Sequence, residues 1–209
     1  MSEASFHEER AKSDTRAAVR EIESRTSAEI VVALRRISGR YRDADYLAGF
    51  FLALVTLMVM LFAEHDFPLL SFPASMATVF VAGAFSCSTI APLRRALTRP
   101  SRRRADVAAA ARAAVVDLNI SRTRGRTGIL VFVSLFEREV EIVTDIGVDP
   151  ALLGEDWKRA VATLRASLEP RPVFDGFRAA LLGLAPPLAQ GMPRADDDVN
   201  ELPDEVAAG

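Results

Sequence analysis

The chain has 209 residues, 50% of them hydrophobic and 26% charged, with 26 basic and 28 acidic side chains and a formal net charge of −2. That balance argues against a dedicated nucleic-acid binder, which needs a net basic face. Cys87 is the only cysteine and excludes an intrachain disulfide and any CxxC metal or redox site; His7 and His65 are too far apart in sequence to suggest zinc-ligand spacing.

The N-terminal piece, 1–44, reads as helix then strand. Ala11, Thr15, Ala18 and Ile22, with Val19 beside them, recur at helical spacing among charged residues. Ser24 to Ser27 breaks the pattern. Ala28–Ser38 (AEIVVALRRIS) is β-branched and apolar before turning basic, as a strand heading for a membrane surface would be. The first 28 residues hold no apolar core of a signal peptide, so no secretory leader is expected.

Between Tyr46 and Ala63, and again between Phe67 and Leu93, no residue is charged; Glu64, His65 and Asp66 separate the runs. Eighteen helical residues rise about 27 Å, close to the hydrocarbon thickness of a bilayer. Neither run carries the polar stripe of a helix in a soluble domain. The Ser and Thr of the second can bond back to their own helix carbonyls. A transmembrane hairpin over 45–93 is therefore predicted, with spans at 46–63 and 69–93. Arg35, Arg36, Arg40 and Arg42 precede it, Arg94, Arg95, Arg99, Arg102, Arg103 and Arg104 follow it, and the loop between the spans has no Lys or Arg. The positive-inside rule then puts both termini in the cytoplasm and the short acidic loop outside.

The C-terminal piece, 94–195, opens with an Ala-rich helix, Ala105–Leu118, whose Val107, Ala111, Ala114 and Leu118 share a face. The basic loop Arg122–Thr127 leads into Gly128–Leu135, a continuous apolar run that suits a strand covered on both faces. A short connection, Phe136 to Arg138, joins it to Glu139–Asp145, and that spacing favours an antiparallel hairpin. Gly147 and Pro150 mark a loop. A helix over Asp156–Leu168 follows, with Trp157, Val161, Leu164 and Leu168 on one side, ended by Pro170 and Pro172. A last helix, Phe174–Leu184, groups Phe177, Leu181 and Leu184 before Pro186 and Pro187 stop it. The tail 196–209, with six acids and no base, reads as mostly solvated. This order predicts an α/β domain, a small mixed β-sheet flanked by helices and interrupted by the hairpin.

Chemistry is sparse. The sequence has no GxxxxGK[ST], GxGxxG or GxSxG pattern. His7 lies near the N-terminus, His65 falls in the loop between the spans, and Cys87 sits within the second span, so covalent catalysis by Ser/His or Cys/His pairs is not expected. Asp145, Asp149, Glu155 and Asp156, with Asp175 nearby in sequence, are candidate oxygen ligands for Ca²⁺ or Mg²⁺. Each also has an ordinary reading: Asp145 ends a strand, Asp149 precedes a proline and Asp156 opens a helix. Arg122, Arg124 and Arg126 suit phosphate oxygens. The plainer and preferred reading sets them, together with Arg94, Arg95, Arg102, Arg103 and Arg104, on anionic lipid headgroups, at about 1 kcal/mol per basic residue near such a surface.

The run RTRGRTGILVFVSLFEREVEIVTDIGV (Arg122–Val148), Trp157 within GEDWKRAV, NELPDEV (Asn200–Val206) and the upstream SRTSAEIVVALRRISGRYRDADY resemble the TPM-domain family. That family includes a thylakoid-lumen acid phosphatase and a photosystem II repair factor. The chain is particularly similar to a bacterial membrane branch in which two transmembrane helices split the domain, a resemblance that implies a hairpin in a bacterial inner (cytoplasmic) membrane. The resemblance implies a central sheet flanked by helices, and an acidic pocket linked in some relatives to Ca²⁺ and phosphatase activity. Two functions follow as expectations. One is a non-catalytic scaffold or assembly and quality-control factor offering its cytoplasmic domain to other membrane proteins; the other is a divalent-metal-assisted phosphatase.

Overall fold

The computed structural model describes residues 9–195, 201, 202, 207 and 208. The chain forms two compact units, one from Met1–Ser38 with Arg104–Gly209 and one from Gly39–Arg103.

The first unit is mixed α/β. Helix α1 (Glu9–Glu23) buries Ala11, Thr15, Ala18, Val19 and Ile22, the face its periodicity predicts. Strand β1 (Glu29–Arg35) lies parallel to β2 (Gly128–Ser134), which pairs antiparallel with β3 (Glu139–Thr144). A two-residue β4 (Ala207–Ala208) runs parallel to β1 on its other side, giving the order β3-β2-β1-β4. A parallel pair cannot be closed by a tight turn. Here its crossover is everything from Arg36 to Thr127, which contains the apolar helices and then α5 (Pro100–Asp117).

Strand alternation divides the core in two. Ile30, Val32, Leu34, Ile129, Val131 and Val133 face α1 and the C-terminal helices α6 (Gly154–Ala166), α7 (Phe174–Leu182) and α8 (Ala185–Gly191). Val31, Ala33, Leu130 and Phe132 face Val107, Ala111 and Ala114 of α5. Every residue of β2 is buried, which explains why its apolar run is unbroken: it has no wet face.

Two expectations are corrected in this unit. Pro186 and Pro187 do not merely stop a helix; they begin α8, where a missing N–H costs nothing because first-turn donors have no intrahelical partner. The C-terminal tail is not simply solvated at its described positions: Leu202 is buried in the α5-side core and Ala207 and Ala208 pair with Ala33 and Leu34. The acidic residues Asp196, Asp197, Asp198, Asp204 and Glu205 lie outside the described residues.

The second unit is built on α2 (Arg42–Phe62) and α3 (Ser71–Thr89), packed side by side and followed by the short α4 (Ala91–Leu97). The uninterrupted second span expected over 69–93 is broken at Ile90. Pro92 has no N–H for the carbonyl one turn back, so a new helix starts there with proline in its first turn. Small residues let the two long helices touch: Gly83 lies so near Gly49 that a Cβ on it would stand 3.0 Å from the Gly49 Cα, and one on Gly49 would stand 2.5 Å from the Phe80 carbonyl oxygen. Gly49 and Ala53 form the small-xxx-small spacing that favours such contact. Asp45 is buried and accepts from Arg94 at 2.9 Å, while the Arg94 guanidinium lies 6.0 Å from the ring centre of the fully buried Tyr41.

Candidate functional site

Because β2 and β3 are antiparallel, the loop entering β2 and the loop leaving β3 meet at one end of the sheet. The basic loop Arg122–Thr127 and the acidic loop after Thr144 are therefore brought together, and their contact is specific. Arg126, with φ 55°, sends its guanidinium onto Asp145, Nε to Oδ2 at 2.8 Å and Nη2 to Oδ1 at 3.0 Å. The Ile146 N–H donates to the same carboxylate at 2.8 Å. The loops also join through their backbones: the Gly147 N–H donates to the Arg126 carbonyl at 2.9 Å. A Cβ on Gly147 would stand 2.2 Å from the Gly125 carbonyl oxygen, so the approach requires glycine there.

This geometry decides what the four carboxylates do. Asp145 is buried, and its Oδ1 accepts from both the Arg126 guanidinium and the Ile146 N–H, while its Oδ2 lies in ion-pair contact with the same guanidinium. Asp149 folds back on its own turn, accepting from the Ala151 N–H at 2.8 Å. Glu155 pairs with Lys158 at 2.6 Å, and Asp156 pairs with Arg159, one turn along α6 in each case. The expected Ca²⁺ or Mg²⁺ set is thus not assembled: among the described residues no group of three or more His, Cys, Asp or Glu side chains is placed to hold a metal ion. Local partners have taken each carboxylate, because an arginine, a lysine or a free amide lay within one turn or one adjoining loop. Asp175, in the first turn of α7, belongs to a different element.

The arginines divide likewise. Arg122 is exposed, while Arg124 reaches Glu201, whose carboxylate accepts the Arg124 backbone N–H at 2.6 Å and lies 3.4 Å from its Nε. Arg94 is turned inward on Asp45, Arg102 is held by Asp43, and Arg103 donates to the Arg95 carbonyl at 3.4 Å. Arg104 meets Glu139 at 3.3 Å beside β3. There, a cleft of about 530 Å³ runs along the strand's outer edge between α5 and α6. Arg104–Glu139 and Arg165–Glu141 (3.4 Å) place charge along that edge, which discourages strand addition.

Two buried carboxylates were not legible beforehand. Glu29, opening β1, accepts the N–H groups of Glu201 and Leu202, both at 3.3 Å, and so fastens the C-terminal segment to the sheet. Glu137 sits in the short β2–β3 connection yet is 2% exposed. It accepts the Ser38 N–H at 2.9 Å and the Ser134 hydroxyl, while the Ser38 and Ser134 oxygens lie 2.7 Å apart. Ser134 is fully buried and no histidine belongs to the cluster, so the geometry suits a clamp on the end of β1 better than a nucleophile open to substrate. The only hint in the sequence is that Glu137 follows an apolar strand without a glycine or proline turn.

No family model matches the chain, and no curated protein matches it. Its fold is similar to that of the BA42 protein from the psychrophilic bacterium Bizionia argentinensis, determined by NMR, with a TM-score of 0.56 over 97% of this chain and 94% of that one. At 16% sequence identity this likeness speaks for the fold, a mixed α/β arrangement, and for nothing finer.

Proposed function

We propose that this chain is a membrane-anchored protein of the TPM-domain type. In this reading α2 and α3 cross a bacterial inner membrane, and the α/β unit works in the cytoplasm as a non-catalytic scaffold or assembly and quality-control factor for other membrane proteins. The observation that carries the reading is the exposure of the two apolar helices. They have the length and composition of spans, and only 22% and 11% of their most apolar windows are buried. Phe50, Phe51, Val55, Val59, Phe62, Val81 and Phe85 are all more than half exposed. Contiguous apolar surface of this kind is rarely left to water. Arginines at both ends of the hairpin and none in its loop support the cytoplasmic placement. The motif resemblance over Arg122–Val148 supports the domain type, and the occupied carboxylates support a binding role over a metal-assisted phosphatase.

Fractionation tests the anchor. Bacterial membranes carrying the intact chain, washed with alkaline carbonate, are expected to retain it, and recovery in the wash would overturn the reading. Cross-linking in those membranes is expected to capture integral membrane proteins. Hydrolysis of a phosphate ester by the pure protein with Ca²⁺ or Mg²⁺, abolished by Asp145→Ala with Asp149→Ala while the fold persists, would overturn the non-catalytic role.

A further inference from the structure

The hairpin unit contains a concavity with two chemically different sides. Its volume is about 540 Å³, and it lies between the first turns of α2 and the corner where α4 gives way to α5. Ala44, Leu47 and Leu97 supply an apolar side; Arg99, Ser101 and Arg102 supply a polar one, with Asp43 beside Arg102. The guanidinium of Arg99 is exposed and makes no hydrogen bond or ion pair to a described residue. Asp43 offsets Arg102, so the lining carries one net positive charge, which matches a monoanion.

Two further facts point the same way. The first turn of α5 contains Arg102 and Arg103 and no acid; Asp43 answers Arg102 from α2, and the remaining positive charge lies at the positive end of an 18-residue helix, where an anion is favoured. The concavity also sits where α2 changes from charged (Arg42, Asp43, Asp45) to apolar (from Tyr46), the level at which a span passes from headgroups to acyl chains.

We propose that this concavity binds one anionic glycerophospholipid, its phosphodiester held by Arg99 and Ser101 beside Arg102 and the start of its acyl chains lying on Leu47 and Leu97. The inference rests on the membrane reading above and goes further. Diffuse attraction to headgroups would treat all surface arginines alike, whereas a built site singles out Arg99. It needs a phosphate oxyanion and an apolar tail on the same molecule, which separates a lipid from free phosphate.

The test uses the full chain, extracted in mild detergent with equal phosphatidylglycerol and phosphatidylcholine and examined by native mass spectrometry. Expected is a one-to-one phosphatidylglycerol adduct at roughly tenfold or greater occupancy over phosphatidylcholine. Arg99→Gln should reduce that adduct at least fivefold, and Arg99→Lys should keep part of it. Arg112→Gln removes the same charge from an exposed position on α5, about 20 Å along the helix, and should leave the adduct unchanged. Equal loss in Arg99→Gln and Arg112→Gln, or no preference between the lipids, would overturn the site. Complete displacement by millimolar glycerol phosphate would assign the concavity to a soluble phosphate and likewise overturn it. Circular dichroism of each variant checks folding; should Arg99→Gln fail to fold, Leu97→Gln takes its place with the same loss expected. Carbonate extraction of membranes is scored separately, so failure of the anchor and failure of the site are distinguishable.

Discussion

Strand β2 and helix α2 are made of the same kinds of residue and meet opposite fates. Ile129, Leu130, Val131, Phe132 and Val133 are each 0% exposed, whereas Val59 is 61% and Phe62 83% exposed. In the α/β unit, apolar side chains are removed from water by two helical layers, and that removal holds the unit together at about 25 cal/mol per Å² of apolar surface buried. In the hairpin unit the helices satisfy their own backbone groups and touch through Gly49, Ala53, Gly83 and Cys87, leaving most large side chains outward. The contrast teaches that apolar content alone does not define a core; what matters is which partner covers it.

Four experiments sharpen that contrast or break it. The largest effect is expected in the sheet: Phe132→Ala opens a cavity between β2 and α5 and should cost about 3–5 kcal/mol in chemical denaturation. Phe85→Ala, equally large but 69% exposed, should change stability in detergent by less than about 0.5 kcal/mol. Comparable losses at the two sites would mean that the hairpin is packed like a soluble core.

Next comes a charge in the middle of the first apolar helix. Val55→Arg should disfavour insertion by about 2.5–3.5 kcal/mol, measured as the chain's transfer from carbonate-resistant membranes to the wash. An unchanged membrane fraction would count against α2 as a span.

The helix contact gives an intermediate effect. Gly49→Val forces a methyl-bearing carbon against the Phe80 carbonyl, and overpacking of this kind costs about 1–3 kcal/mol. It should lower the melting temperature in detergent, with no such change for Ala82→Val, a substitution outside the Gly49–Gly83 contact.

The smallest expected effects belong to the ion pairs of the α/β unit. Asp145→Ala leaves the Ile146 N–H and a half-exposed Arg126 without their acceptor, for a loss of about 1–2 kcal/mol, since the freed guanidinium can reach water. Lys158→Ala at an exposed pair should stay within about 0.5 kcal/mol. A loss at Lys158 matching that at Asp145 would show that the loop-to-loop latch is no stronger than an ordinary surface pair.

Much of the fold was legible because local patterns record burial directly. The buried face of α1 is the one its spacing predicts, and Trp157 and Leu164 of α6 and Phe177 and Leu181 of α7 are buried as their periodicity implies. Prolines were less legible, since the same residue that ends one helix starts another: Pro92, Pro100 and Pro186 all sit in first turns. The candidate site was legible only in part. That the arginine loop and Asp145 share one end of the sheet follows from the β2–β3 hairpin, but that they form a mutual latch, rather than a metal or phosphate site, depends on the left-handed turn at Arg126 and the close approach at Gly147.

By itself the sequence determined where the chain is apolar on one face, on two faces or all round, and so where strands, amphipathic helices and span-like helices lie; a side chain's affinity for water and the periods of helix and strand suffice for that. Tertiary structure alone decided which polar groups meet. Arg126 with Asp145, Glu29 with the Glu201–Leu202 backbone, and Ser38 with Glu137 are each separated by many residues. Their pairing follows from strand order and register, and the hydrogen bonds that join them form only when donor and acceptor come within about 3 Å, a distance only the folded chain sets.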